Sequence, residues 1–135
     1  MKRQIYLNLP VKDVQRSQSF FESVGFRMAS ECSSDKGMCI ELQEDSYAVL
    51  QPRETFEELS PKEMCRPAGC SEMLISVSCE SREEVDELID RAIEAGAKIP
   101  GSTKVEGPMY GRTFEDLDGH VWQLIYMDGR TESND

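Results

Sequence analysis

The chain reads as one short plan written twice, and that repeat constrains its fold more than any single segment does. In the first copy, the apolar stretch Ile5–Pro10 predicts a strand. Asp13 then predicts the N-cap of a helix whose apolar face is Val14, Phe20, Phe21 and Val24 and which ends at Gly25. Strands are expected next at about Phe26–Ser30, Met38–Leu42 and Tyr47–Gln51, with turns at Lys36-Gly37 and Glu44-Asp45-Ser46. The second copy opens with a strand at Met73–Cys79 and a capping box, Ser81-Arg82-Glu83-Glu84. Its helix carries Val85, Leu88, Ile89, Ala92 and Ile93 on one face and stops at Gly96, with strands to follow at about Lys98–Gly101, Met109–Glu115 and His120–Met127. Aligning Val11 with Cys79 and Asp13 with Ser81 keeps the two strand-to-helix junctions in step. Gly25 and Gly96 then mark both helix ends, with about one extra helical turn in the second copy.

One such half cannot bury both faces of its sheet. The helix covers one face, and the other must curl around something. The expected fold class is therefore α+β, with two tandem βαβββ modules forming a half-open, cleft-containing mixed sheet and helices on the outside. A single domain is expected over 1–128, with module one at 4–52, a polar connector at 53–70 and module two at 71–128. A short helix is expected in the connector at Pro61–Met64, and 129–135 reads as a disordered polar tail.

At 135 residues the chain is one domain's worth, and its ordinary hydrophobic fraction suits a soluble globular protein. No apolar run approaches the roughly 20 residues of a membrane helix, and no signal-like region precedes Ile5–Leu9, so a cytoplasmic protein is expected. The formal net charge of −11 argues against nucleic acid and anionic membranes as partners. The five cysteines are odd in number and irregularly spaced, with no CxxC pair and a single histidine in the chain. That pattern argues against a structural zinc or a disulfide framework. Cys39 and Cys79 fall in predicted strands, where cysteine acts as a small apolar residue, while Cys65 and Cys70 flank a Pro-Gly segment.

Asp118-Gly119 is a two-residue turn signal between alternating stretches, so Thr113–Met127 predicts a hairpin. This hairpin, Phe114-Glu115-Asp116-Leu117-Asp118-Gly119-His120-Val121-Trp122, is similar to that of the vicinal oxygen chelate superfamily. So are the repeated βαβββ unit and the Leu9-Pro10-Val11-Lys12-Asp13 opening, with Phe20-Phe21 and Gly25-Phe26 after it. The superfamily includes glyoxalase I, bleomycin-resistance proteins, fosfomycin-resistance enzymes and extradiol dioxygenases. The resemblance runs from about Gln4 to Asp128 and is nearest to small bacterial proteins labelled predicted lactoylglutathione lyases. One fold of this kind hosts many functions.

The resemblance implies four metal positions on the first and last strand of each half, typically two His and two Glu, whose cation polarises substrate oxygens. Carried over one by one, those positions are Tyr6, Gln51, Leu74 and Gln123. None is imidazole or carboxylate, so no metal or other cofactor is expected at the usual site. Glu72, Glu41 and His120 are the candidates for a shifted divalent-metal site.

Strand parity sketches the ligand cleft. If Gln123 points inward, so do Val121, Ile125 and Met127, leaving Trp122, Leu124 and Tyr126 for the helices. If Tyr6 points inward, so do Asn8 and Pro10, and the same logic adds Tyr47, Val49, Leu74 and Ser76. Tyr110 and Arg112 are placed at the cleft mouth, where Arg112 would hold a carboxylate or phosphate or would pair with Glu115 or Asp116. Some of these residues will be plain core.

Three functions fit this reading. The first is a glyoxalase/bleomycin-resistance-like protein that binds a small molecule in a dimeric cleft without the usual catalytic divalent metal. The second is a metal-dependent lyase or isomerase of the lactoylglutathione lyase type with non-standard ligands. The third is a metal-free enzyme using Tyr6 or Tyr110 as proton donor. The resemblance also implies a homodimer, which would cover open sheet edges.

Overall fold

The computed structural model describes residues 3–65, 69, 72–101, 104–106 and 108–128. The predicted tail at 129–135 and Cys70 lie outside the described residues. The chain divides into two compact units, Met1–Arg66 and Pro67–Asp135, and each is built on the βαβββ plan.

In the first unit, β1 (Ile5–Val11) leads into α1 (Val14–Val24), followed by β2 (Arg27–Met28), β3 (Met38–Gln43), β4 (Ser46–Pro52) and α2 (Arg53–Leu59). Asp13 caps α1 by accepting the Arg16 N–H at 3.1 Å. Gly25 ends the helix at φ 125°, a conformation closed to most side chains. The sheet order is β1-β4-β3-β2, with β1 parallel to β4 and the remaining pairs antiparallel. Pairing puts Leu9, Leu50, Ala48 and Ile40 on one face, where they are buried together with Phe20, Phe21 and Val24 of α1.

The second unit runs β5 (Leu74–Ser78), α3 (Arg82–Glu94), β6 (Lys104–Glu106), β7 (Met109–Glu115) and β8 (Val121–Met127). Ser81 Oγ accepts the Glu84 N–H at 3.0 Å, and Glu84 Oε1 accepts the Glu80 N–H at 2.7 Å, so the capping box closes one residue earlier than its usual form. The order β5-β8-β7-β6 repeats the first sheet. Phe114, Trp122 and Leu124 share the helix-side face and are fully buried, as are Val85, Ile89 and Ala92 of α3. Ile93, expected on the buried face of α3, is exposed.

Three expectations need correction. The connector's helix is Arg53–Leu59 rather than Pro61–Met64. Pro52 stands at its N-cap, and the following residues, Arg53-Glu54-Thr55-Phe56-Glu57-Glu58-Leu59, include several good helix formers. The strand expected at Lys98–Gly101 lies at Lys104–Glu106, and Lys98 makes only an isolated bridge to Glu115. Pro100 lacks the N–H needed to extend that bridge into a ladder. The β7–β8 turn is also wider than two residues. Asp116 pairs with His120, the Asp116 N–H donating to the His120 carbonyl at 2.9 Å, and Leu117-Asp118-Gly119 form the loop. Gly119 supplies the positive φ, 91°, that a three-residue hairpin loop requires. Among the described residues no helix is long and apolar enough to cross a membrane.

Candidate ligand-binding faces

The face of each sheet turned away from its helix carries most of the candidate residues. In the first unit, parallel pairing sets Tyr6 beside Tyr47, and their rings stack at 5.3 Å with an 18° interplanar angle. Tyr6 is 42% exposed, and its hydroxyl donates to Gln4 Oε1 at 2.8 Å. Tyr47 is buried in a small cluster with Ala29 and Cys39, against which Cys32 and Val49 pack. Tyr47 and Val49 therefore serve as core as well as candidate lining. Partial desolvation, with neighbouring thiols and carboxylates, holds both phenols above their ordinary pKa, so they stay neutral.

Gln51 is only 3% exposed, and its Nε2 donates to Asn8 Oδ1 at 3.0 Å. The second unit has a matching pair, in which Ser76 Oγ donates to Gln123 Oε1 at 2.8 Å. Asn8 and Ser76 correspond in the repeat, since both lie three residues before the aligned Val11 and Cys79. The two glutamines are nevertheless not counterparts. Ser76 stands opposite Gln123, whereas Asn8 stands opposite Val49, and Gln51 is further along, opposite Pro10. The Gln51 side chain reaches back to make the bond that Gln123 makes straight across.

Leu74, 51% exposed, shares the open face with Ser76, Gln123 and Ile125. Gly111 lies under this group. A Cβ there would stand 3.1 Å from Ile125 Cγ2 and 3.6 Å from Gln123 Nε2, so the missing side chain leaves the Gln123 amide uncovered. Gly111→Ala is expected to cost about 1 kcal/mol by forcing Ile125 to shift. Urea unfolding measures that cost, and a ligand held at Gln123 would bind the variant more weakly.

Tyr110 and Arg112 do not join the others. Along β7 they alternate with Gly111 and Thr113 and share the helix-side face with Phe114. Tyr110 Oη donates to Asp86 Oδ1 of α3 at 2.5 Å, and Arg112 Nη1 donates to the same oxygen at 3.1 Å. The expected partners Glu115 and Asp116 are thus replaced by Asp86. Arg82 sits over the Tyr110 ring at 5.1 Å. The Tyr110 hydroxyl and then Arg112 pull the Asp86 carboxyl below its usual pKa. A depressed carboxylate stabilises the fold above its unfolded pKa, and that contribution is lost as pH falls through the folded value. Asp86 is half exposed, so solvent screening limits it: Asp86→Ala is expected to cost no more than about 1 kcal/mol at pH 7, by urea unfolding, with the difference vanishing in acid.

The four metal positions inherited from the resemblance do not fit a divalent cation. Tyr6 is a neutral phenol, Leu74 has no donor atom, and the two glutamines are neutral amides already bonded to Asn8 and Ser76. Among the described residues no three His, Cys, Asp or Glu side chains come together as a metal-holding group. Of the shifted candidates, Glu41 accepts from Arg27 Nε at 2.7 Å, and His120 closes the β7–β8 loop opposite Asp116.

Comparison with known proteins agrees with this architecture. Hypothetical protein SA1046 from S. aureus is 28% identical, with 93% of this chain and 95% of that one covered at a TM-score of 0.79. A glyoxalase/bleomycin resistance protein/dioxygenase family enzyme from Burkholderia phytofirmans PsJN is 19% identical, with coverage of 90% and 96% and a TM-score of 0.73. The genomically encoded fosfomycin resistance protein FosX from Listeria monocytogenes is 21% identical, with 93% of each chain covered and a TM-score of 0.64. At such identities the last two establish the fold alone. No protein of curated function matches the chain significantly. The Glyoxalase/Bleomycin resistance protein/Dioxygenase superfamily model matches residues 3–124, and with most of its length so matched, the chain belongs to that superfamily.

Proposed function

We propose that this protein binds a small organic molecule on the helix-free faces of its sheets, as a homodimer and without a catalytic divalent metal. The observation that carries the reading is the pair of anchored glutamines. The resemblance puts Gln51 and Gln123 at two of the family's metal positions, and each is bonded to a polar residue of the first strand of its unit. Amides so held orient a ligand by hydrogen bonding rather than by Lewis acidity. Tyr6 and Leu74 add exposed apolar surface on the edge strands β1 and β5. The logic is that of a sequestering protein of the bleomycin-resistance kind.

Metal analysis of the purified protein tests the reading. The expected result is far less than stoichiometric Zn, Ni, Fe or Mn and no change in melting temperature with EDTA. A stoichiometric metal that disappears in Gln51→Ala or Gln123→Ala would overturn it in favour of a glyoxalase-type lyase or isomerase. Thermal-shift screening of planar and glycopeptide compounds supplies the positive arm. A ligand at a hundred times its Kd stabilises the fold by about 2.7 kcal/mol, a shift that Tyr6→Ala and Gln123→Ala should remove. Analytical ultracentrifugation checks the dimer.

A further inference from the structure

Cys32 and Cys39 are separated by a turn that brings them back together. The Ala29 N–H donates to the Cys39 carbonyl at 2.8 Å, and the Cys39 N–H donates to Ser33 Oγ at 3.0 Å. Ser33 Oγ in turn donates to the Ala29 carbonyl at 2.8 Å. These bonds strap the 3₁₀ turn Ser30–Cys32 onto β3. Cys39 Sγ donates to the Cys32 carbonyl at 3.0 Å, Cys32 Sγ donates to the Ala29 carbonyl at 3.8 Å, and Cys32 packs against the cluster that holds Cys39. Cys39 is buried, while Cys32 is half-buried. Burial, together with the Cys32 thiol, pushes the Cys39 thiol up to about 12, so Cys39 alone is unreactive.

We propose that Cys32 and Cys39 form a modification site for hydroperoxides, which oxidise the pair to an intramolecular disulfide. Cys32 is the less buried of the two, and its thiolate attacks the hydroperoxide. A sulfur–oxygen bond forms as the O–O bond breaks, giving Cys32 sulfenic acid and an alkoxide that leaves as alcohol after taking a proton. The Cys39 sulfur then displaces the sulfenic oxygen. The S–S bond forms, the S–O bond breaks, and the Cys39 proton departs with that oxygen as water. In sum, two thiols lose two electrons and two protons, and the hydroperoxide is reduced to alcohol and water, or to water alone when it is hydrogen peroxide. The crosslink fixes the Ser30–Cys32 turn against the cluster that holds Tyr47, on which Tyr6 stacks. The site stands independently of the ligand-binding reading.

The test uses the reduced, folded full-length chain, treated with a small excess of hydrogen peroxide, quenched with iodoacetamide and mapped without reduction. Lys36 lies between the two cysteines, so trypsin yields peptides 28–36 and 37–53, joined only by the disulfide. The expected product is that linked pair, lighter by two hydrogen atoms and returned to the thiols by dithiothreitol. In Cys39→Ser, Cys32 should be trapped by dimedone as the sulfenic acid. In Cys32→Ser, Cys39 should stay reduced over the same interval. Wild-type protein that gives Cys32 sulfinic acid without a link would overturn the proposal. So would a link confined to Cys65 and Cys70, or one that forms only in urea.

Discussion

Replacing Asp116 with alanine is expected to destabilise the protein by about 3 kcal/mol, read as a lower urea midpoint at unchanged m-value and a melting temperature lower by roughly 10 °C. Asp116 is 5% exposed, and both of its oxygens are engaged. Oδ1 accepts the Asp118 N–H at 2.9 Å and the His120 N–H at 3.0 Å, while Oδ2 accepts the Trp122 indole N–H at 3.0 Å. Burial pushes the carboxyl pKa up, and His120, the indole and the two backbone N–H groups oppose that shift. Removing the carboxylate would leave the indole N–H of a fully buried tryptophan without this partner and release the loop that sets β8 against β7. Trp122 stacks on Phe114 with centroids 6.3 Å apart, so the loss extends into the core beneath α3. Asp116→Asn keeps one acceptor oxygen but turns an NH₂ toward an N–H donor. About half the loss is expected from it. The hairpin motif that marks the family in sequence thus has a physical job, and Asp116 performs most of it.

That job was only half legible in the residues. Alternation on either side of Asp118-Gly119 is enough to predict two strands, and Trp122 and Leu124 fall on the buried face as parity requires. What parity does not reveal is that the loop closes on Asp116 rather than on the Asp-Gly pair, because a side chain reaching three N–H groups is a three-dimensional fact. The caps at Asp13 and Ser81 were legible because capping is local. The side taken by Tyr110 and Arg112 is legible too. Counting back by twos from Phe114 puts both on the helix side, where Asp86 is within reach. The α2 helix was obscured by its charge. Glu54, Glu57 and Glu58 make the segment read as a solvated connector, although Pro52 signals a helix start. On the candidate faces, sequence names Gln51 and Gln123 as substituted metal positions but does not show that Asn8 and Ser76 hold them. Nor does it show that Gln51 stands two residues beyond the counterpart of Gln123, since Asn8 pairs with Val49 where Ser76 pairs with Gln123.

Their different burial makes the two glutamines respond unequally to replacement by glutamate. Gln51→Glu is expected to cost about 2–4 kcal/mol at pH 8, whereas Gln123→Glu should cost less than about 1 kcal/mol. At position 51 the new carboxylate would be almost wholly removed from water, with the Asn8 amide as its neighbour. At position 123 it would remain half-buried beside the Ser76 hydroxyl, which can donate to either oxygen. Desolvation raises the folded-state pKa of the carboxyl introduced by Gln51→Glu above its unfolded value near 4.3. That carboxyl is then protonated more readily in the folded chain, so the variant's stability is fully present below the unfolded pKa and falls as pH rises through the folded one. The gap to wild type should accordingly narrow between pH 8 and pH 5, while Gln123→Glu shows little such trend. Adding zinc separates two causes of the loss. A site short of a single donor would bind the ion and regain stability in Gln51→Glu. With Leu74 and a neutral phenol at two of the other metal positions, no recovery is expected.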